Sequence, residues 1–172
     1  MTGQLTTPAP SGGYASAYGY MFDVKSKSPE ALRVLKFSLF YTNSQCNFDL
    51  WSMIGESASA SNDPAAWTLI SQGQLMQAGS NKGILSGKDF PPQSIPSGQT
   101  RAFYISLYGC SSTWPMKVNR GINLGGVAVE NNDLALMEGI KKNQVSAAGN
   151  FGSNSYSKYI SFYWAKYLTI LH

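Results

Sequence analysis

Residues 89–109 constrain the fold of this chain more than any other stretch, because a proline-punctuated extended run is followed by an aromatic strand. The run reads Asp-Phe-Pro-Pro-Gln-Ser-Ile-Pro-Ser-Gly-Gln-Thr-Arg-Ala-Phe-Tyr-Ile-Ser-Leu-Tyr-Gly. Proline fixes φ and lacks an amide donor, so Phe90–Pro96 is predicted to be an edge segment that ends in a turn at Ser97-Gly98. Thr100–Tyr108 has the β-branched and aromatic residues of a central strand. The stretch therefore indicates an all-β domain.

Nine segments in all have the composition of short strands and are separated by turn residues. They are Tyr20–Lys25, Leu32–Tyr41, Asn47–Ile54, Trp67–Gln74, Arg101–Tyr108, Met116–Asn119, Val127–Val129, Leu134–Glu138 and Tyr159–Leu171. About nine strands predict a two-sheet antiparallel β-sandwich with a jelly-roll-like arrangement. The second segment is largely apolar on both alternating faces, which indicates a strand buried on more than one side.

Length favours a single folded domain. With 172 residues, of which 43% are hydrophobic, the chain can bury one core but is short for two. Residues 1–18 lack periodicity and are rich in small residues, so we expect a flexible or extended N-terminal arm before a β-sandwich domain over residues 19–172. No apolar run approaches the ~20 residues of a membrane helix, and residues 1–20 show no signal-peptide pattern.

The charge pattern argues against nucleic-acid binding. The formal net charge is +4, but the 13 basic residues are scattered from Lys25 to Lys166, and a nucleic-acid footprint would need clustering. Only 13% of the residues are charged, and Ser, Asn, Gln, Thr and Gly supply most of the polarity. This balance is typical of β-rich proteins that face the outside of a cell.

The sequence contains few residues that are suited to catalysis. The single histidine is His172, which excludes a histidine-based triad or zinc site, and the cysteines lack a suitable base. The carboxylates that could serve a glycosidase are dispersed, and nothing in the sequence brings two of them together. They are Asp23, Asp49, Glu130, Asp133 and Glu138. We therefore expect a protein that is not an enzyme.

Two pairs of residues are candidates for a covalent link and for a metal site. Cys46 and Cys110 each lie at the end of a predicted strand, so they could form one disulfide or remain two separate thiols. Glu130 and Asp133 flank two asparagines in a predicted turn and could hold Ca²⁺ in an extracellular setting. An Asx-type turn without metal is the favoured interpretation of the same residues, and no cofactor is expected otherwise.

Aromatic residues near the C-terminus are the candidate ligand contacts. The last predicted strand is the densest aromatic part of the chain, and Tyr159 and Tyr163 share one of its faces. Core packing and cross-strand pairing explain such a cluster, and a solvent-facing platform for sugar rings or a partner is the alternative. Together with Trp114, these two tyrosines are the predicted contacts. Three long loops, at residues 55–66, 78–88 and 146–157, could also carry recognition.

Five blocks, in chain order, carry a resemblance to a known family. They are Tyr20-Met21-Phe22-Asp23-Val24, Ala66-Trp67-Thr68-Leu69-Ile70, the run from Asp89 to Ile105, Asn132-Asp133-Leu134-Ala135-Leu136-Met137-Glu138-Gly139, and Phe151-Gly152-Ser153. From about Gly19 to the C-terminus, the chain resembles a secreted β-sandwich domain. That domain is found, often in tandem, in surface and extracellular proteins of diatoms and in exported bacterial proteins with C-terminal sorting signals. The resemblance implies a non-enzymatic module and supplies no catalytic residues.

Two hypotheses about function follow. The first is an extracellular or cell-surface module for adhesion, matrix building or glycan binding, whose partner is a glycan or another surface polymer. The alternative is a structural assembly subunit, such as a viral coat or spike protein or a filament component. In that case the partners are copies of the chain itself, the arm of residues 1–18 reaches onto a neighbour, and the location is the virion.

Overall fold

Strands make up most of what the computed structural model describes, namely residues 2–5, 14–40, 45–78, 82–85, 88–111, 115–119, 123–142, 151, 157–160 and 168–171. In chain order these strands are β1 (Thr2–Leu5), β2 (Tyr14–Ala17), β3 (Gly19–Ser26), β4 (Leu32–Phe40), β5 (Gln45–Ile54), β6 (Thr68–Met76), β7 (Lys82–Leu85), β8 (Gln93–Ile95), β9 (Thr100–Tyr108), β10 (Met116–Asn119), β11 (Val127–Glu130), β12 (Leu134–Lys142), β13 (Ser157–Ile160) and β14 (Leu168–Leu171). Two short 3-10 helices, Ser57–Ala60 and Pro64–Ala66, lie between β5 and β6. Neither could cross a membrane, and the described residues contain no other helix that could. The predicted all-β fold class is confirmed.

Two antiparallel sheets form the sandwich. The larger sheet has seven strands in the order β11-β12-β3-β9-β5-β6, with β13 also paired to β12. The smaller sheet has five strands in the order β1-β14-β4-β7, with β8 also paired to β4. A separate ribbon contains β2 and β10.

The core lies between the two sheets, where aromatic rings from both meet. Phe22 on β3 and Phe103 on β9 stack with ring centroids 5.5 Å apart. Phe37 on β4 packs edge-on against Phe22 at 5.5 Å and against Phe103 at 5.0 Å. All three rings are buried, and burying each contributes about 1.5–3 kcal/mol relative to leaving it exposed. These contacts attach the smaller sheet to the middle of the larger one.

The proline-rich run and the strand after it form the predicted edge and central strands. The short β8 pairs only with β4 among the described strands, whereas β9 lies between β3 and β5. Gly98 has a φ of 69° in the turn, and the amide of Gln99 donates to the carbonyl of Pro96 at 3.1 Å. The side chain of Arg101 on β9 then donates through Nε to the carbonyl of Ser94 on β8 at 2.8 Å. Arg101 thus joins the two sheets at this end.

A β-bulge explains why both faces of β4 are apolar in the sequence. Opposite β14, β4 has one extra residue between Val34 and Lys36. An extra residue shifts the side-chain alternation by one position. Leu32 and Val34 are therefore buried in the core before the bulge, and Phe37 and Leu39 after it. Only one side of β4 therefore faces the core, and the bulge moves the core-facing positions from even to odd residue numbers.

The C-terminal region differs from the single strand predicted over Tyr159–Leu171. The structure has two strands there, which belong to different sheets: β13 pairs with β12 in the larger sheet, and β14 pairs with β1 and β4 in the smaller one. A continuous run of β-forming residues contains no local signal for a change of sheet, because strand propensity does not depend on the partner.

The structure describes two segments of the flexible or extended arm predicted over residues 1–18. Two short strands form here, since β1 pairs with β14 and β2 pairs with β10. Leu5 is buried in the core. Composition suggested an arm because small residues have weak strand preference, whereas the partner strands supply the hydrogen bonds that hold these residues. The described parts of the region therefore belong to the sandwich.

Candidate functional site

The outer face of the larger sheet, which points away from the core, carries three rows of side chains in register. Strand pairing places residues of β6, β5, β9, β3 and β12 side by side, and alternation along each strand puts every second residue on this face. The first row is Gln72, Asp49, Ser106, Gly19 and Lys142; the second is Leu69, Trp51, Tyr104, Met21 and Ile140; the third is Met53, Ala102, Asp23 and Met137. An apolar middle row therefore lies between two rows that contain charged groups.

An aromatic cluster covers the middle row. The ring centroid of Phe151 lies 5.4 Å from that of Trp51, 5.2 Å from that of Tyr104 and 6.0 Å from that of Trp67. Trp67 also meets Tyr104 at 6.1 Å. Aromatic pairs at these separations contribute about 0.5–1.5 kcal/mol each beyond the area that they bury. The cluster forms a second hydrophobic core outside the sandwich.

Residues 55–67, which include both 3-10 helices, lie over this face and are held by hydrogen bonds that involve side chains of the sheet and of the segment itself. The amide of Ser57 donates to Asp23 Oδ1 at 2.8 Å. The indole Nε1 of Trp67 donates to the carbonyl of Ala60 at 2.9 Å. The ammonium of Lys142 donates to the carbonyl of Ser61 at 3.1 Å. The predicted long loop is therefore an ordered cover, because side chains from the sheet and from the loop itself satisfy its backbone.

The carboxyl of Asp23 is the most perturbed acid on this face. Its side chain is buried, and desolvation raises its pKa to about 6. The hydrogen bonds from Ser57 oppose that rise, and the nearby carboxylate of Glu56 adds to it. Both the ionised and the protonated form of Asp23 are therefore populated near pH 6, at the point where the covering segment is anchored.

Lys142 is a buried cation at the other side of the face. Its side chain is buried at the end of β12, and desolvation lowers its pKa. Burial of an ammonium costs free energy unless hydrogen bonds compensate it, and the carbonyl of Ser61 supplies one such bond. The charge is thus used to hold the covering segment.

One margin of the face remains accessible. Trp51 and Met53 are half-buried, and Leu69 beside Trp51 is 39% exposed. The Nε1 atom of Trp51 is buried and has no hydrogen-bond partner. Such a donor is costly to leave unpaired, but it is buried, so this margin offers a ligand an aromatic and apolar surface and not the indole N–H.

The composition of β9 contains a sequence signal for this face. In β9 the buried residues Phe103 and Ile105 face the core, while Ala102 and Tyr104, also buried, face outward. A strand with apolar residues at both parities is buried on both sides. Applied to β9, that rule would have predicted an outer apolar cluster with Tyr104 in it.

The two predicted cysteines meet in the structure. Cys46 at the start of β5 and Cys110 after β9 form a disulfide with their Cα atoms 4.4 Å apart. The bond spans a sequence separation of 64 residues and lies against the inner core. Antiparallel pairing of β5 with β9 brings the two positions together. The alternative of two free thiols is therefore not what the structure contains.

The predicted Ca²⁺ residues form a turn. The side-chain oxygen of Asn131 accepts from the amides of Asp133 at 2.9 Å and Leu134 at 3.0 Å, which is an Asx-type turn. Glu130 pairs with the ammonium of Lys27 at 2.9 Å. Within the ranges that the structure describes, no three His, Cys, Asp or Glu side chains lie together as a metal site would need.

The predicted aromatic contacts lie apart from the described site. Tyr159 belongs to β13, which pairs with β12 at an edge of the larger sheet, but its side chain is outside the described set. Trp114 and Tyr163 lie outside the described residues. All three therefore stay predictions.

The buried carboxylates have structural partners. Asp49 accepts a hydrogen bond from the hydroxyl of Tyr108 at 3.2 Å. Glu138 accepts from the amide of Asn123 at 2.7 Å and so holds the turn before β11. With Asp23 bound to the covering segment, these three carboxylates each contact a different neighbour. Asp23 and Glu138 therefore hold a loop and a turn, whereas Asp49 links β5 to β9.

No protein-family model matches this chain, and no curated protein matches it.

Proposed function

We propose that this chain is a non-enzymatic extracellular or cell-surface module that binds a glycan or another surface polymer. The disulfide between Cys46 and Cys110 is the single observation that carries the proposal. Disulfides form and persist in oxidising compartments and are rare where thiols are kept reduced. A sandwich closed by such a bond suits a domain that works outside the cell.

The accessible margin of the outer face supports binding there. Trp51 presents a half-buried indole next to Met53 and the exposed Leu69. An aromatic face packs against the apolar face of a sugar ring. We therefore assign the first ligand contact to Trp51 and propose Trp114, Tyr159 and Tyr163 as further aromatic contacts.

A glycan array, followed by titration of the strongest hit, tests the binding role. Trp51→Ala should weaken binding at least tenfold, which corresponds to about 1.4 kcal/mol, because it removes the ring that packs against the sugar. Trp51→Phe should lose less, since it keeps an aromatic ring. Val127→Ala is the matched control, because Val127 is also exposed but lies on β11.

The outcomes of this test are separable. Circular dichroism first confirms that each variant is folded. If Tyr163→Ala abolishes binding while Trp51→Ala does not, the contact lies on the C-terminal aromatic residues. An array without hits, or hits that none of these variants weakens, would contradict the glycan-binding proposal.

The proposed compartment has its own test. Protein isolated from its natural source should contain the bond between Cys46 and Cys110, which mass spectrometry of non-reduced peptides detects. Free thiols at both positions in that material would contradict an extracellular location.

An assembly subunit is the second candidate function. The described parts of the predicted arm pair within their own chain, so the arm does not favour it. The observation that does favour it is the group of exposed apolar side chains on β6 and at the end of β5, namely Leu69, Met76 and Ile54.

A further inference from the structure

The peptide bond between Asp63 and Pro64 lies in the covering segment and is the one Asp-Pro bond in the sequence. Residues 62–66 are all exposed, whereas Ser61 and Trp67 on either side of them are buried. Exposed loops of small and polar residues are where cleavage of a chain concentrates. The nitrogen of Pro64 belongs to a tertiary amide, which accepts a proton and leaves more readily than the nitrogen of an ordinary peptide bond. Water therefore reaches a bond that has a good leaving group.

The carboxyl of Asp63 is folded back towards this bond. Its Oδ1 atom accepts a hydrogen bond from the amide of Ala65 at 3.0 Å. The ring that this hydrogen bond closes runs through the side chain of Asp63 and contains the bond to Pro64. The carboxyl is therefore turned towards its own backbone carbonyl, and a carboxyl in that position is a nucleophile that can form a covalent intermediate.

The backbone carbonyl of Asp63 is also hydrogen-bonded. Its oxygen accepts from the amide of Ala66 at 3.2 Å. Addition of a nucleophile to the carbonyl carbon places negative charge on this oxygen, and a backbone amide directed at it stabilises that charge as in an oxyanion hole. The nucleophile and the oxygen that gains charge are thus each contacted by a neighbouring backbone amide.

Contacts on both sides of the bond hold the segment in place. Before it, the amide of Ser57 donates to Asp23 on β3. After it, the buried Trp67 donates to the carbonyl of Ala60 and so spans the bond. The strand β5 before the segment and the strand β6 after it pair with each other. None of these contacts needs an intact bond between residues 63 and 64.

The disulfide joins the two parts of the chain that this bond separates. Cys46 precedes the bond and Cys110 follows it. Cleavage gives residues 1–63 and 64–172, each with one of the two cysteines. We infer that the chain cleaves its own Asp63-Pro64 bond and persists as a two-chain molecule joined by Cys46 and Cys110. The inference stands whether or not the chain binds a glycan.

The reaction consumes one water molecule. An oxygen of the Asp63 carboxyl adds to the carbonyl carbon of the same residue, and the carboxyl proton passes through solvent to the nitrogen of Pro64. The carbon–nitrogen bond breaks, which leaves a cyclic anhydride on residue 63 and a secondary amine at residue 64. Water then opens the anhydride and gives the side-chain carboxyl and a new C-terminal carboxyl. Mild acid promotes the step, because the leaving nitrogen must carry a proton.

Incubation of the full chain at pH 4, followed by mass spectrometry, tests the inference. Without reductant the product should remain one species that is heavier by one water molecule, and its circular dichroism should match that of the uncleaved chain. After reduction it should separate into two fragments, the second of which begins at Pro64. The folded chain should cleave at least tenfold faster than the chain unfolded in urea at the same pH, because unfolding removes both amide contacts.

Two variants separate the roles of the two residues. Asp63→Asn keeps an acceptor for Ala65 but removes the carboxyl, and Pro64→Ala keeps the carboxyl but replaces the leaving group. Each should lower the cleavage rate at least tenfold. Glu56→Gln is the matched control, because it removes an exposed carboxyl from the same segment and should leave the rate unchanged.

Four results would overturn the inference. The wild type stays intact at pH 4, or it cleaves no faster when folded than when unfolded. Asp63→Asn cleaves as fast as the wild type. The two fragments separate without reductant, which would contradict the two-chain product.

Discussion

The two faces of the larger sheet are built by the same strands, yet they hold different kinds of groups. The inner face packs Phe22, Phe103 and Leu50 against the smaller sheet, and its polar groups, such as Arg101 bound to Ser52, lie at one end. The outer face surrounds its aromatic cluster with Asp23 and Lys142, which are buried and bound to a loop. Apolar packing against a second sheet stabilises the whole fold, whereas buried polar anchors hold a local cover whose stability depends on pH and on single hydrogen bonds.

The largest expected effect comes from the inner face. Phe103→Ala should lower the free energy of unfolding by about 4 kcal/mol, because it removes a ring that contacts both Phe22 and Phe37 and leaves a cavity. Urea unfolding followed by circular dichroism measures the change. A loss below about 1 kcal/mol would show that the inner face is not the dominant source of stability.

A smaller effect should appear on the outer face as a pH dependence. The pKa of Asp23 is raised from 3.8 to about 6 in the folded chain, so the folded state binds this proton more tightly than the unfolded state. Acidification therefore stabilises the fold through this group. The gain in the free energy of unfolding is absent above pH 6 and complete below 3.8, the pKa of this group in the unfolded chain. It amounts to about 3 kcal/mol.

Asp23→Asn isolates that contribution, since the amide keeps an acceptor for Ser57 and does not titrate. Unfolding free energies of both proteins at pH 7 and pH 4.5 should show the wild type gaining relative to the variant at the lower pH. A constant difference between the two proteins would mean that Asp23 titrates at its ordinary pKa.

The smallest effect should be local. Trp67→Phe keeps a ring in the outer cluster but removes the donor to the carbonyl of Ala60, at a cost of about 1 kcal/mol. Hydrogen exchange within residues 55–66 should accelerate more than exchange in β9. Equal acceleration in both regions would indicate that the covering segment unfolds only with the whole domain, and the distinction between the two faces would fail.

Much of the fold was predictable because it depends on local pattern. The prolines before β8 and the aromatic strand β9 indicated an edge followed by a centre, and the structure has both. Leu134–Glu138 was predicted as a strand from its alternation and forms part of β12. Propensity and alternation suffice where a strand meets one continuous partner face.

Other features depend on partners that are distant in sequence. The alternation in β4 could not reveal its bulge, since an inserted residue is defined only against β14. At Gly139 a Cβ would lie 1.8 Å from the carbonyl oxygen of Met21, so glycine is required by the close approach of β3. No property of the residues around Gly139 shows that constraint.

The candidate site was the least predictable part. Asp23 appeared in the sequence as one of several dispersed carboxylates, and Trp67 as the first residue of a strand. Their roles arise because residues 55–67 return over the sheet and place Ser57 and Ala60 within hydrogen-bond distance of these side chains.

Local sequence therefore determined that this chain is an all-β domain, where most of its strands lie, and that a disulfide was possible. Only the tertiary structure decided that Cys46 and Cys110 are joined and that an outer cluster covers the larger sheet. The physical reason is the separation in sequence over which each interaction acts. Strand formation responds to the pattern of neighbouring residues, whereas burial and a bond between cysteines depend on which distant segments the fold brings together.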